Sequence, residues 1–234
     1  MFVIQILIDA GLIILSYLFG SIPFGVLVVR LISGKDIRQV ASGRTGGTNA
    51  MRAAGTWAGI LTAVFDTLKG ASAIWVAKAV TDNVWVYLLA PLAAILGHNY
   101  SIFLTERNEK GRLRLRGGAG GAPTVGGAFG LWPASLLIIF PIGLLIYFGI
   151  GYASITTLSV AFIAILIFTV RFWMGISPWQ YILYGIIAEL LLVLALRPNI
   201  IALIEGRERF HGWRPWCKRD QDHAIQGSGG NKGS

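Results

Sequence analysis

Between Pro133 and Gly149 the chain reads PASLLIIFPIGLLIYFG, a stretch without a single Asp, Glu, Lys or Arg. A helix of about 20 such residues crosses the hydrocarbon core of a bilayer. Comparable stretches recur along the chain of 234 residues, of which 55% are hydrophobic and only 13% charged. Because an ordinary soluble domain has about 25% charged residues, this composition indicates a membrane-embedded protein.

On either side of that stretch, hydropathy predicts an all-α, polytopic membrane protein with about seven transmembrane helices. The expected spans are residues 2–32, 57–80, 84–104, 117–130, 133–149, 156–172 and 179–196. The first is interrupted near Gly20 and Pro23, and the fourth is short and rich in glycine. We expect a single transmembrane domain over residues 1–210 and a polar tail over residues 211–234. The last eight residues contain only Gly, Ser, Asn and Lys and are expected to be disordered.

The net charge of +9 is compatible with nucleic-acid binding, with anionic lipid or with membrane orientation. Seventeen of the twenty Lys and Arg residues lie in three polar segments, residues 30–52, 107–116 and 197–232. With seven spans these segments share one side, which the positive-inside rule makes cytoplasmic, with the N-terminus outside and the C-terminus inside. Most of the charge is therefore assigned to orientation, and no nucleic-acid partner is expected.

Residues 42–52 read SGRTGGTNAMR, which combines glycines, hydroxyls, an amide and two arginines. Glycine lets backbone N–H groups approach an anion, and arginine offers a planar fork that fits phosphate. The composition is typical of a phosphate site, with a solvated turn between spans as the alternative. The segment is neither a Walker loop nor a Rossmann turn, because both motifs' defining residues are absent.

A second candidate anion site combines Gly97-His98 with Arg116 and the glycines that follow it. A helix beginning after these glycines would point its N-terminal amides toward the same side of the membrane. Close packing between membrane helices is the competing explanation for such a run. One cysteine and three scattered histidines do not suggest a metal site, and no metal or cofactor is expected.

Asp66 and Lys69 lie three residues apart inside the second span, so their side chains share one helix face. Either charge alone is expensive in a membrane, and we expect the two to pair. The pair would brace the cytoplasmic loops; a proton or ion relay is the alternative.

In their order along the chain these motifs resemble the bacterial acyl-phosphate:glycerol-3-phosphate acyltransferases. The matching pieces are Ser42-Gly-x-x-Gly-x-Thr-Asn-x-x-Arg52, Asp66-x-x-Lys69-Gly70, Gly97-His98, Gly117-Gly-x-Gly120, and Asn199-Ile200 before Glu205-Gly-x-Glu208. The resemblance implies a multi-pass enzyme of the bacterial plasma membrane. Such an enzyme transfers a fatty acyl group from acyl phosphate to the 1-hydroxyl of glycerol 3-phosphate, giving lysophosphatidic acid and phosphate.

The resemblance, together with the basic composition of the two glycine-rich segments, also suggests roles for individual residues. Catalytic contacts are expected from Ser42, Arg52 and His98. The expected substrate- and phosphate-binding residues are Gly43, Arg44, Gly46, Thr48, Asn49, Arg116, Gly117, Gly118, Gly120, Ser154, Thr157 and Asn199. Asp66 and Lys69 are expected to support them. The expected partners are acyl phosphate, glycerol 3-phosphate and membrane lipids, and transfer is expected to be direct, without an acyl-enzyme.

The chain also departs from the family pattern. Arg44 stands where the family has asparagine, Ala119 where it has lysine and Gly151 where it has arginine; the proline after Gly-His is absent, and an insertion covers roughly residues 105–115. Because the lysine would be a cation at the leaving phosphate, we expect Arg44 or Arg116 to replace its charge. The alternatives are a diverged, weakly active or inactive paralogue that binds a phosphorylated lipid-like ligand and, less favoured, a small-solute transporter.

Overall fold

The computed structural model describes residues 2–107 and 111–210. The helices in these two ranges are α1 (Phe2–Ser21), α2 (Phe24–Ser33), α3 (Gly47–Ala54), α4 (Thr56–Val80), α5 (Val84–Asn99), α6 (Gly121–Leu131), α7 (Ser135–Gly149), α8 (Ala153–Trp173) and α9 (Gln180–Ile204). A single 3₁₀ turn covers Ile37–Gln39, and the strands β1 (Ser101–Arg107) and β2 (Leu113–Arg116) form an antiparallel hairpin. The predicted helical membrane fold is confirmed. The predicted polar tail, residues 211–234, lies outside the described residues.

The helices differ in whether they can cross a bilayer. Four segments are long and apolar enough: Phe2–Ser33, which joins α1 and α2, together with α4, α8 and α9. Helices α5 and α7 are apolar but have 16 and 15 residues, and α6 has 11. At 1.5 Å per residue α6 is about 16 Å long, roughly half the thickness of the hydrocarbon core. The count of seven full crossings therefore stays a prediction.

Two predicted boundaries are wrong. The third span, expected over residues 84–104, is helical only to Asn99, and from Ser101 the chain forms β1. The alternation of Leu and Arg in residues 113–116 suits a strand whose two faces meet different surroundings. The seventh span continues to Ile204, so Arg197 and Asn199, expected after the end of that span at residue 196, lie on α9.

Helix α4 lies at the centre of the bundle, where α6 packs closely against it. Glycine makes this approach possible. A methyl group at Gly126 would overlap the carbonyl oxygen of Thr67, and one at Gly70 would overlap the carbonyl oxygen of Pro123. Small residues at such contacts let two membrane helices bring their backbones together. The glycine-rich composition of the predicted fourth span is therefore used for helix packing.

The last carbonyl groups of the short helix α6 have no partners within the helix. The Lys78 ammonium from α4 donates to the carbonyl oxygens of Gly130 (2.9 Å) and Leu131 (3.3 Å). Near the other end, the Tyr184 hydroxyl donates to the Thr124 carbonyl oxygen at 2.7 Å. These bonds hold α6 at a fixed depth and thereby fix the position of the glycine segment that precedes it.

We expect Gly126→Ala to destabilise the protein because the added methyl group forces α6 away from α4. Overpacking of this kind costs about 1 to 3 kcal/mol, which should appear as a lower midpoint in thermal unfolding of the purified protein in detergent. Gly11→Ala on α1 is the matched control, since nothing lies within 4 Å of its added methyl group. Equal stability of the two variants would contradict the packing argument.

Candidate functional site

Loops that are far apart in the chain meet at one end of the helix bundle. The Thr45 amide, between α2 and α3, donates to the Gly117 carbonyl oxygen at 3.4 Å. The Arg44 side chain reaches α9, where Nε donates to Asn199 Oδ1 at 3.2 Å. The segment after α9 returns to the start of α8 through a contact between Glu208 and Ser154. These contacts bring three segments into one region: the first motif (residues 42–52), the glycine segment (residues 117–120) and the late motif (residues 199–208).

The loop that carries the first motif is shaped by Asn49. Its side-chain amide donates to the carbonyl oxygens of Ile37 (3.1 Å), Val40 (3.0 Å) and Arg44 (2.8 Å). Because Asn49 is buried and its NH₂ group is engaged, its side chain closes the loop, and its predicted contact with substrate stays a prediction. Gly43 turns the chain with a φ of 66°.

The remaining residues of the first motif lie around the start of α3. Ser42 is exposed, Gly46 caps α3, and Thr48 is half-buried in its first turn. Arg52, one turn from the end of α3, is also half-buried. Burial and the nearby charge of Arg209 lower the pKa of Arg52, against smaller opposing effects of Tyr147 and Glu208. Its guanidinium stays charged at neutral pH. Because it is partly desolvated, its electrostatic attraction to an anion is stronger than that of a cation in open water.

The glycine segment rests on His98. The Gly118 amide donates to the His98 carbonyl oxygen at 2.9 Å, and a methyl group at Gly118 would overlap the His98 ring. A methyl group at Gly117 would likewise overlap the carbonyl oxygens of His98 and Asn99. Gly120, with φ 91°, turns the chain into α6. His98 is only 5% exposed. The His98 ring thus packs against the backbone of the glycine segment, and its predicted catalytic role stays a prediction.

The His98 ring belongs to a buried cluster with Asp66 and Lys69. Lys69 Nζ lies 3.0 Å from Asp66 Oδ1, and His98 Nδ1 lies 3.5 Å from the same oxygen and 3.4 Å from the ammonium. Lys69 also donates to the Gly20 carbonyl oxygen at 3.0 Å, where α1 gives way to α2. The predicted Asp66–Lys69 pair is thus present, and the side chains of both residues are 1% exposed. Through His98 the cluster supports the glycine segment from beneath.

Arg44 joins three separate parts of the site. Besides the bond to Asn199, its Nη1 donates to the Gly118 carbonyl oxygen at 3.2 Å, and its Nη2 donates to the Ala195 carbonyl oxygen. Burial lowers the pKa of the Arg44 guanidinium. Within residues 2–107 and 111–210, no carboxylate forms an ion pair with it. A partly desolvated positive charge is therefore held against the glycine segment by neutral acceptors.

Arg116 is a second cation beside the first motif, but a carboxylate holds it. Arg116 Nε lies 2.8 Å from Glu106 Oε2, and the other Glu106 oxygen lies 3.5 Å from Arg38 Nη1. Arg116 Nη1 would lie 3.6 Å from a methyl group added to Gly43. Arg116 therefore lies next to the predicted phosphate loop, with part of its charge balanced by Glu106.

The late motif closes the site from the side of α8. The Glu208 carboxylate accepts hydrogen bonds from the Ser154 amide at 3.3 Å and from the Ser154 hydroxyl. This caps the start of α8 and occupies the hydroxyl that was predicted to line the pocket. Thr157 donates to the Ala153 carbonyl oxygen at 2.8 Å and packs its methyl group against Gly121. Glu208 was not among the predicted site residues, although the Gly206-x-Glu208 pattern was the signal for it.

We expect Asp66→Asn or Lys69→Met to destabilise the protein strongly, because each leaves the other charge buried without its partner. Breaking a buried ion pair in this way costs about 3 to 5 kcal/mol. The double variant should lose less than the sum of the single losses, as measured by thermal unfolding in detergent. Asp36→Asn is the control, since its pair with Arg38 is partly exposed and such pairs contribute about 0 to 1 kcal/mol. Single variants as stable as this control would contradict a structural role.

Comparison with known proteins agrees with this arrangement. The family model described as glycerol-3-phosphate acyltransferase matches residues 10–206. A glycerol-3-phosphate acyltransferase of Thermus thermophilus is 40% identical over 201 residues, covering 86% of this chain and 94% of the relative. One of Rubrobacter xylanophilus is 34% identical, covering 89% and 98% of the two chains.

Solved structures with the same fold are also found. The crystal structure of PlsY, an integral membrane glycerol 3-phosphate acyltransferase, in its glycerol 3-phosphate form superposes with a TM-score of 0.74 at 33% identity, covering 87% of this chain and 96% of the other. Its lysophosphatidic acid form gives a TM-score of 0.71 at 31% identity, covering 86% and 94%. The chain belongs to the glycerol-3-phosphate acyltransferase family.

Proposed function

We propose that this chain transfers a fatty acyl group from acyl phosphate to the 1-hydroxyl of glycerol 3-phosphate, giving lysophosphatidic acid and inorganic phosphate. The observation that carries the proposal is the meeting of the family's motifs at one end of the bundle, where Arg44 contacts both Gly118 and Asn199. Membership of the family supports the substrate assignment.

Two phosphorylated substrates need two sets of cations and hydrogen-bond donors in the same region. Arg52 on α3 and Arg116 before α6 are the guanidinium groups that would contact the phosphates, with Ser42 and Thr48 as further donors. Arg44 sets positive charge beside the glycine segment, where the leaving phosphate of acyl phosphate would lie. Holding donor and acceptor together supplies proximity, and charges aimed at the developing oxyanion lower the barrier further.

Direct transfer fits the surroundings of the histidine better than an acyl-enzyme does. An acyl-enzyme needs a nucleophile in hydrogen-bond contact with a base. The polar side-chain partners of the His98 ring within the described residues are Asp66 and Lys69, both deep in the bundle. We therefore propose that the glycerol 3-phosphate hydroxyl attacks the acyl carbon itself and that a substrate phosphate accepts its proton.

The membrane location follows from the same proposal. The acyl chain of the donor would stay among the apolar helices while the phosphates remain at the bundle end that carries the motifs. Because the basic segments lie at this end, the positive-inside rule places it in the cytoplasm. We propose the bacterial plasma membrane as the location.

A second candidate is a diverged paralogue that binds a phosphorylated lipid-like ligand without turning it over. The observation in its favour is Ala119, which stands in the glycine segment where the resemblance leads us to expect lysine. The fold and the motif contacts would be the same in either case, so only turnover separates the two.

The deciding experiment gives the purified protein palmitoyl phosphate and glycerol 3-phosphate and measures phosphate and lysophosphatidic acid together. We expect both products in equal amounts. Binding without either product would establish the paralogue, and phosphate alone would indicate hydrolysis. Repeating the assay with inverted membrane vesicles and with intact spheroplasts tests orientation, since added glycerol 3-phosphate should be acylated only by the inverted vesicles.

Arg44→Ala should lower kcat at least tenfold, because a hydrogen bond to a charged group contributes about 1.5 to 3 kcal/mol. Arg30→Ala, an exposed arginine on α2, is the control for lost positive charge. The rescue variant is Arg44→Ala with Ala119→Lys, which returns a cation to the glycine segment and should recover part of kcat. An unchanged rate in Arg44→Ala, with loss in Arg116→Ala instead, would assign the replacement charge to Arg116.

A further inference from the structure

The hairpin formed by β1 and β2 has two chemically different faces. Thr105 pairs with Leu115 and Arg107 pairs with Leu113, whereas Glu106 pairs with Arg114. Since neighbouring residues of a strand point to opposite sides, Leu113 and Leu115 share one face with Arg107. Glu106, Arg114 and Arg116 lie on the other.

The charged face is fixed against the rest of the protein. Glu106 bonds to Arg116 within the hairpin and reaches Arg38 in the 3₁₀ turn. At the base of β1, the Ser101 hydroxyl donates to the Ser21 carbonyl oxygen at 2.5 Å, and the Tyr17 hydroxyl donates to the Tyr100 carbonyl oxygen at 2.9 Å. The hairpin is therefore attached to α1 and to the phosphate loop, and its leucine face points away from both.

That outward face is strongly apolar. Leu113 is 70% exposed, and Phe103 near the base of the hairpin is 59% exposed. Leu115, on the same face as Leu113, is also exposed. If the hairpin extended into water, these apolar side chains would be exposed to solvent. Exposed apolar surface of this kind marks a contact with a membrane or another protein.

The position of the hairpin and its charge favour a membrane as the surface that its apolar face contacts. The hairpin follows directly on α5, and exposed apolar side chains of the bundle, Phe19 on α1 and Leu96 on α5, lie near the same end. Residues 101–116 contain five Lys and Arg against two Glu. An amphipathic element with apolar residues on one face and arginines around it binds the interface of anionic bilayers, with the long basic side chains reaching the headgroups.

We propose that the β1–β2 hairpin lies flat on the surface of the bilayer that holds the protein, with Phe103, Leu113 and Leu115 inserted among the headgroups and Arg107, on the leucine face, against anionic lipid phosphates. The hairpin then covers the membrane surface beside the phosphate loop. This assignment does not depend on the proposed acyl transfer, because it rests on the faces of the hairpin alone.

The test places a nitroxide label on single cysteines in a Cys217→Ser background, reconstituted at one copy per lipid nanodisc. Labels at Leu113→Cys and Arg114→Cys report the two faces. Leu145→Cys on α7, 73% exposed, is the reference for lipid, and Glu205→Cys, exposed after α9, is the reference for water. Power saturation with oxygen and with a water-soluble nickel chelate measures the depth of each label.

We expect the label at position 113 to be protected from the nickel chelate and open to oxygen, with a depth between the two references, and the label at position 114 to resemble the water reference. A label at position 113 that matches the water reference overturns the proposal. Protection that appears only when two copies share one disc also overturns it and assigns the face to a second copy of the chain.

The lipid charge is tested in the same system. Phosphatidylcholine discs with added phosphatidylglycerol should hold the label at position 113 deeper than phosphatidylcholine alone. Arg107→Gln should remove that difference, because Arg107 shares the leucine face, and Arg107→Lys should keep it. Equal depth in both lipids would overturn the anionic part of the proposal.

Discussion

The ammonium group of Lys69 is the charge around which the rest of the site is organised. A cation inside a membrane protein must find acceptors within the protein, because lipid supplies none. Lys69 finds them at Asp66, one turn before it on α4, and at Gly20, where α1 ends its run. The same carboxylate contacts His98 at the end of α5. A single buried charge thus fixes the relative positions of three helices just beneath the glycine segment.

Close backbone contacts carry that arrangement up to the surface. Gly118 lies directly on the His98 ring, and α6 begins three residues later with its glycines pressed against α4. Because α6 is short and capped by Lys78 at its far end, it has little freedom to slide. The loop that we propose to bind phosphate is therefore set by rigid contacts on the membrane side, while Arg44 and Asn49 set it from the other side.

The sequence contained the membrane fold and the Asp66–Lys69 pair, because hydropathy and helical spacing act locally. It did not reveal the hairpin, since charge predicts only a polar segment over residues 107–116, although residues 113–116 alternate as a strand does. The packing of His98 against Gly118 could not be predicted for a different reason. Whether a histidine faces substrate or supports the backbone depends on which helix packs over it, and no pattern along the chain encodes that choice.

The contacts of Arg44 could not be predicted from the sequence either, because its partners lie far along the chain. Its partners on α9 follow it by 151 and 155 positions in the chain, and the cap on α8 comes from Glu208, which lies beyond the last helix. During synthesis the earlier helices leave the ribosome long before these partners exist. A nascent chain in the membrane therefore holds the loop around Arg44 without these contacts, and they become complete only when α9 has been inserted.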